Sequence, residues 1–114
     1  MSVYVKQNAR RMGVGRMLYD AMEAILRMQR LTNVEACIAV PSAPDAHLTM
    51  DSVRFHEKMG YRMVGTFHQC GYKFDTWYDM VWMEKHIGEH THPQPPVLRF
   101  DEIREEALRQ LKPR

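Results

Sequence analysis

The longest periodic pattern lies in the first third of the chain. Apolar residues recur there three and four positions apart, which places them on one face of a helix: Val14, Met17, Leu18, Ala21, Met22, Ile25 and Met28. Charged residues occupy the other side, where Glu23 and Arg27 are spaced for an ion pair. The pattern predicts an amphipathic helix capped by Asn8, with Gly13 and Gly15 in its first turns, that runs to about Arg30.

Runs of β-branched and aromatic residues predict the strands. Residues 3–5 (VYV) form the first, and residues 34–40 (VEACIAV) form a second with little exposure, in which Cys37 packs as a small apolar side chain. A strand, a long helix and a strand in succession predict a βαβ unit with two parallel strands. Residues 61–74 and 77–84 predict two more strands, joined by a tight turn at residues 75–76.

Two further helices follow from local signals. The first begins at a cap on Thr49 or Asp51, runs through Met59 and is ended by Gly60. Asp101 is expected to cap a charged C-terminal helix, and the polar, proline-rich segment before it is expected to lie extended on the surface.

These elements define the fold class and a domain boundary. The class is α/β, with a mixed sheet and the order β-α-β-α-β-β. Residues 1–86 form the domain, and residues 87–114 form an extended tail and a short terminal helix.

Charge and composition narrow the function classes. The 16 Lys and Arg against 14 Asp and Glu leave a net charge of +2, too small for the basic stripe of a nucleic-acid-binding protein. No apolar run approaches the roughly 20 residues of a membrane helix, and the first residues do not follow the pattern of a secretory signal. We therefore expect a cytoplasmic protein with neither nucleic acid nor membrane as a partner. A cluster of Arg10, Arg11 and Arg16 fits a small anionic ligand better than a long polyanion.

The segment RRMGVGR, residues 10–16, follows a predicted strand and opens a helix. A helix N-terminus offers unpaired N–H groups and about half a positive charge. Gly13 and Gly15 lack a Cβ where a pyrophosphate must approach the backbone, and arginines add charge-assisted contacts to phosphate. Close packing of the helix on the sheet explains a glycine pair equally well. A dinucleotide site of the G-x-G-x-x-G type fits less well, because the spacing differs and no acidic residue ends the next strand.

Several motifs in one order resemble the GNAT superfamily of N-acetyltransferases, and within it the phosphinothricin acetyltransferases. The Arg-x-x-Gly-x-Gly pattern of residues 10–15 is similar to the acetyl-CoA pyrophosphate loop. SVRFHEKMGY, residues 52–61, is similar to a second block, and Gly71-Tyr72-Lys73 with Trp77 and Asp79 is similar to a third. The resemblance implies that residues 3–5 and 34–40 are neighbouring strands that splay apart, with the pantetheine arm pairing along residues 3–5.

The resemblance implies an N-acetyltransferase that uses acetyl-CoA as cosubstrate and acts on a small amine, similar to phosphinothricin or an amino acid. Transfer is expected to be direct, without a covalent enzyme intermediate, and a backbone N–H near Val5 would stabilise the oxyanion. Thr49 stands where the family usually has an asparagine, and its hydroxyl replaces only part of that hydrogen bonding. The cosubstrate-binding residues implied are Val3, Tyr4, Val5, Arg10, Arg11, Met12, Gly13, Val14, Gly15, Arg16, Thr49 and Ser52.

His56 is the candidate catalytic residue. It lies four residues after Ser52, so both face one side of the short helix, and the resemblance suggests contact with the substrate or assistance in proton transfer. A hydrogen-bonded, half-buried structural histidine is the alternative. Ser52 is expected near the cosubstrate and not as a nucleophile. The histidines of the proline-rich tail have no rigid geometry, so no metal site is predicted.

The family fold also has parts that the resemblance does not find in this sequence. It opens with three strands and two helices that build the acceptor pocket, and its usual general base, a glutamate, would precede Met1. The edge of residues 3–5 would then invite association. We expect a homodimer or a complementing chain over that edge. A truncated, catalytically impaired remnant that binds CoA or oligomerises is the alternative function.

Overall fold

The computed structural model describes residues 13–41 and 50–111. Its elements are α1 (Val14–Met28), β1 (Asn33–Pro41), α2 (Asp51–Lys58), β2 (Arg62–Lys73), β3 (Thr76–His86) and α3 (Phe100–Gln110). This confirms the predicted succession of helix, strand, helix, strand and strand. The predicted strand at residues 3–5 lies outside the described residues. The described residues form two compact units. One consists of residues 35–85, and the other of residues 13–34 together with residues 86–111. The predicted domain boundary after residue 86 stays a prediction.

The sheet has the strand order β1-β3-β2, and β2 pairs with β3 antiparallel. Side chains along β1 alternate between the two faces of the sheet, as they must in an extended strand. Ala36, Ile38 and Val40 are buried, whereas Glu35 and Cys37 are exposed. The prediction that this strand has little exposure, with Cys37 packed as an apolar residue, is therefore wrong for every second position.

The hairpin turn consists of Phe74 and Asp75, one residue earlier than predicted. Their φ angles are +54° and +56°, the combination of a type I′ turn, whose twist matches that of the flanking strands. Lys73 pairs with Thr76 across the turn, and the Thr76 hydroxyl donates to the Phe74 carbonyl at 3.1 Å. The sequence predicted the turn but placed it one residue too late, because Phe-Asp lacks the Asn-Gly signal that fixes the position of such turns.

The register of the hairpin is interrupted where Phe67 pairs with Met80 and Gly71 with Tyr78. Three residues of β2 there face one residue of β3, Asp79, so β2 carries a bulge with two extra residues. Asp79 holds the bulge, since its Oδ1 accepts the Gln69 N–H at 2.8 Å and its Oδ2 lies 3.4 Å from Nδ1 of His68.

α2 turns Val53 and His56 inward, and both are at least 95% buried. Its N-cap residue is Met50, so Asp51 is the first helical residue and not the predicted cap, while Thr49 lies outside the described residues. The predicted end at Gly60 is confirmed. Gly60 has φ +97°, its N–H donates to Glu57, and the next N–H donates to the His56 carbonyl at 2.9 Å, which together form a Schellman motif.

α1 belongs to the other unit, and its N-cap residue is Gly13. Gly13 thus precedes the helix instead of lying within it, and the predicted cap Asn8 falls outside the described residues. The predicted apolar stripe is not the buried face. Tyr19 and Glu23 are 3% and 1% exposed, whereas the apolar side chains of Met17, Leu18 and Met22 are 39–63% exposed.

A row of residues four apart explains why a glutamate is buried in α1. Glu23 follows Tyr19 by one turn, and Arg27 follows Glu23 by another. The Arg27 Nη2 lies 3.5 Å from Glu23 Oε1, which confirms the predicted ion pair, and a paired carboxylate loses less on burial than an unpaired one. The Arg27 Nε donates to the Ile87 carbonyl at 3.0 Å, so this row faces the segment that follows β3.

α1 ends in a second Schellman motif, with Arg30 in the left-handed position at φ +68°. The Arg30 N–H donates to Arg27 at 2.9 Å and the Leu31 N–H to Leu26 at 3.0 Å. The segment after β3 binds this end of the helix. The Leu98 N–H donates to the Gln29 carbonyl, and the Gln29 Nε2 donates back to the Leu98 carbonyl.

α3 follows a segment, residues 88–97, that has no regular secondary structure and is exposed throughout, as predicted for the proline-rich stretch. The N-cap residue is Arg99 and not the predicted Asp101, which lies in the first turn and accepts from Arg99 Nε at 3.2 Å. Ile103 and Ala107 are buried, and α3 packs against α1. None of the described helices is long and apolar enough to cross a membrane.

Candidate functional site at the start of the first helix

Gly13 gives the start of α1 its shape. Its φ of +81° lies in the left-handed region, which residues with a Cβ rarely adopt. A Cβ at this position would meet no atom of the described residues within 4 Å. Backbone conformation, and not crowding by the described residues, is therefore what favours glycine here.

Three backbone N–H groups are directed out of this helix end. The first helical hydrogen bond runs from the Met17 N–H to the Gly13 carbonyl at 3.0 Å. The N–H groups of Val14, Gly15 and Arg16 precede it, so the helix itself supplies no acceptor for them. α1 is 15 residues long with no acidic residue in its first turn, and the exposed Arg16 adds a positive charge. This end is suited to a diphosphate.

A shallow, open depression lies beside these amides. It is bordered by Gly13, Arg16, Met17, Asp20, Ala21 and Leu111. Two of the predicted cosubstrate-binding residues, Gly13 and Arg16, thus share one surface, and Val14 and Gly15 lie between them in sequence. The other predicted residues of this set that precede Gly13 lie outside the described residues, as does Thr49. Sequence reasoning missed Leu111, because only the packing of α3 brings it to this helix end.

His56 is fixed by contacts within its own unit. Its Nδ1 lies 2.7 Å from the Ser52 carbonyl oxygen, and because a carbonyl only accepts, Nδ1 carries the hydrogen. The ring meets Tyr61 and Phe55 edge-on at centroid distances of 5.1 and 5.5 Å. These contacts are those of the structural histidine considered above, and a catalytic role for His56 stays a prediction. The Ser52 side chain is exposed in the first turn of α2.

The tail histidines make contacts of their own. The rings of His86 and His90 lie 4.8 Å apart, and His90 Nε2 is 2.7 Å from Asn33 Oδ1. Within residues 13–41 and 50–111, no group of three or more His, Cys, Asp and Glu side chains is arranged to hold a metal ion.

Comparison with known proteins defines the class of this fold. The acetyltransferase (GNAT) domain family matches residues 1–82. The chain belongs to this family, which confirms the resemblance stated from the motifs.

Curated relatives include two named for particular substrates. A phosphinothricin N-acetyltransferase from Streptomyces viridochromogenes is 32% identical over 94 residues, which cover 82% of this chain and 48% of that protein. An L-methionine sulfoximine/L-methionine sulfone acetyltransferase from Pseudomonas aeruginosa is 30% identical over 86 residues, 75% of this chain and 46% of that protein. The chain spans about half the length of the curated relatives it matches.

Solved structures support the fold. A Salmonella typhimurium protein solved with its cofactor acetyl-CoA has a TM-score of 0.67 at 27% identity, over 79% of this chain and 48% of that one. A phosphinothricin acetyltransferase from Sinorhizobium meliloti has a TM-score of 0.69 at 23% identity, over 82% and 47%. The predicted partial GNAT fold is confirmed.

Proposed function

We propose that this chain binds acetyl-CoA and serves N-acetyl transfer to a small amine of the amino-acid type. Family membership and relatives named for phosphinothricin and L-methionine sulfoximine support the reaction class. The observation that carries the proposal is the N-terminus of α1, where the left-handed Gly13 precedes three amides for which the helix supplies no acceptor and where Arg16 is exposed.

The residues at this helix end would hold the diphosphate of CoA. Amides of residues 14–16 donate to phosphate oxygens, and the Arg16 guanidinium adds a charge-assisted contact. The amine is expected to attack the thioester directly, with residues 3–5 along the pantetheine arm. Ser52 and Thr49 would lie near the cosubstrate. We propose a cytoplasmic location, as the composition suggests.

The alternative is a remnant that binds CoA or oligomerises without catalysis. The exposed apolar side chains of Met17, Leu18 and Met22 on α1 favour it, because a homodimer or a complementing chain would gain from covering them. Thiol release in the presence of an amine distinguishes the two functions, since only the enzyme releases CoA.

Calorimetric titration with CoA tests CoA binding, which the enzyme and the CoA-binding remnant share. Arg16→Ala is expected to weaken CoA binding about tenfold, as the loss of one charge-assisted hydrogen bond predicts. The control is Arg104→Ala, which removes the same charge from an exposed site on α3 and should leave the affinity unchanged. Equal effects of the two substitutions would show that only net charge matters and would reject the site.

Catalysis is tested by following free thiol with acetyl-CoA and either phosphinothricin or L-methionine sulfoximine. Turnover with either amine supports the transferase. CoA binding without turnover, under conditions where a full-length relative is active, supports the remnant.

A further inference from the structure

Two histidines and an asparagine meet where β3 ends and β1 begins. His86 is the last residue of β3, and Asn33 is the first residue of β1. His90 lies in the segment that follows β3. Its ring centroid is 4.8 Å from that of His86, and its Nε2 is 2.7 Å from Asn33 Oδ1. All three residues are exposed, and they belong to one compact unit.

Backbone contacts position the segment that carries His90. The N–H groups of Ile87 and Gly88 donate to the Thr32 carbonyl at 2.8 and 3.3 Å. A Cβ added at Gly88 would lie 3.3 Å from the Leu31 carbonyl oxygen, so the segment lies directly against residues 31–32. These contacts give the histidines on either side of them a defined geometry, which the proline-rich sequence did not predict.

The contact with Asn33 determines which nitrogen of His90 is able to bind a metal. Asn33 Oδ1 also accepts from the Thr32 hydroxyl at 2.8 Å. Because an amide oxygen only accepts, His90 Nε2 carries the hydrogen, and the lone pair of the neutral ring lies on Nδ1. Histidines that ligate metals are oriented in this way, with the second ring nitrogen donating to an oxygen.

The separation of the two rings suits one metal ion. Zinc binds histidine nitrogens at about 2.0–2.1 Å in a tetrahedral arrangement, which puts two imidazole centroids roughly 5 Å apart. The rings of His86 and His90 lie 4.8 Å apart, and the exposed His86 ring can turn to present a nitrogen. Among the described residues no third His, Cys, Asp or Glu side chain is placed to join them, so solvent would complete the coordination.

We propose that His86 and His90 form a surface site for a divalent transition metal of the zinc type, with Asn33 as the residue that positions His90. Imidazole suits zinc, copper and nickel, whereas magnesium and calcium prefer oxygen ligands. A bound ion joins the end of β3 to the start of β1 and stabilises the folded chain, because it binds the folded form more tightly than the unfolded one. None of these residues is among those proposed to bind CoA, so the inference is independent of the proposed function.

Calorimetric titration with zinc chloride tests the site. The exposed thiols of Cys37 and Cys70 are first alkylated, so that they do not bind zinc. Asn33→Ala should weaken zinc binding about tenfold, as the loss of a residue that orients a ligand predicts. His86→Ala and His90→Ala should each weaken it by about a hundredfold, at the upper end of that range, because each removes one of two ligands.

Two matched variants serve as controls. His92→Ala is the same truncation at another exposed histidine of the same segment, and it should leave the affinity for zinc unchanged. Asn33→Asp keeps an oxygen that accepts from His90 Nε2 and should therefore retain zinc binding, unlike Asn33→Ala. Magnesium chloride should give no heat of binding with the wild-type chain.

Thermal unfolding provides a second measurement that does not depend on the heat of binding. Saturating zinc should raise the melting temperature of the wild-type chain by several degrees and leave that of His86→Ala unchanged. Each variant is compared with and without zinc, so a change in its own stability does not obscure the result.

The outcomes are distinct. If His92→Ala weakens zinc binding as much as His86→Ala, zinc binds exposed histidines in general, and the site is rejected. Unchanged affinity in His86→Ala or His90→Ala rejects it as well. If Asn33→Ala binds zinc as tightly as the wild-type chain, Asn33 does not position His90, and the geometry proposed for the site is wrong.

Discussion

Arg30 carries a testable conformational penalty. It occupies the left-handed position of the Schellman motif that ends α1, with φ +68°, where glycine is the usual residue. Its guanidinium makes one exposed contact to the Pro96 carbonyl, at 3.4 Å. Arg30→Gly removes both the Cβ and the guanidinium, and Arg30→Ala removes the guanidinium alone. The difference between the two variants isolates the Cβ.

The magnitude follows from two opposing effects. A residue with a Cβ in the left-handed region is less stable than glycine by roughly 1–2 kcal/mol. Glycine gives back part of this, about 0.4–1 kcal/mol, because it has more freedom in the unfolded chain. Arg30→Gly should therefore be more stable than Arg30→Ala by about 1 kcal/mol. The long exposed contact to Pro96 contributes little.

Urea unfolding followed by circular dichroism measures this difference as a shift in midpoint at constant slope. In thermal unfolding we expect about 4 °C between the two variants. If Arg30→Gly is no more stable than Arg30→Ala, the left-handed position does not limit the stability of this helix end, and the reasoning is wrong.

Three further predictions test other parts of the fold. Gly60→Ala should lower the free energy of unfolding by about 1 kcal/mol, because a residue with a Cβ is strained at φ +97°. Crowding adds little, since the nearest atoms to the new Cβ belong to the flexible Lys85 side chain, at 3.3 Å. An unchanged urea midpoint would contradict this. Phe74→Asn together with Asp75→Gly should raise the free energy of unfolding by about 1 kcal/mol and with it the melting temperature, since Asn-Gly suits a type I′ turn. A lower melting temperature would argue against the turn. Burial, and secondarily the Glu23 carboxylate, raise the pKa of the Tyr19 phenol above its ordinary value of 10.0. The stability from the neutral phenol is complete below pH 10 and is lost as the pH rises through the folded-state pKa, so wild type should lose stability relative to Tyr19→Phe in strongly alkaline solution, and parallel pH curves would refute this.

Helix α1 shows which features of the structure the sequence predicts and which it does not. Its periodicity gave the element, whereas Gly13, expected within its first turns, is the N-cap residue. The pattern did not predict which face is buried, because an apolar stripe says nothing of what the rest of a small chain can cover. Tyr19 and Glu23 are buried instead, and the decisive contact of their row, from Arg27 to the Ile87 carbonyl, joins residues 60 positions apart.

The same limit applies to the candidate site. The glycines and arginines of residues 10–16 form a local motif, so the sequence alone suggests a candidate anion site at this helix end, and that site stays a prediction. Leu111 has no local signal, since it is an ordinary leucine at the end of a charged helix. Its position follows from the packing of α3 on α1, which no spacing within either helix specifies.

The bulge of β2 has a consequence for self-assembly. β2 is the outer strand of the described sheet, and such strands can template the addition of another strand. Its regular pairing is broken into the short runs 62–63, 65–67 and 71–73, so an incoming strand would find at most three consecutive residues in register. By anchoring the inserted residues, Asp79 keeps this edge irregular, which disfavours the addition of another strand.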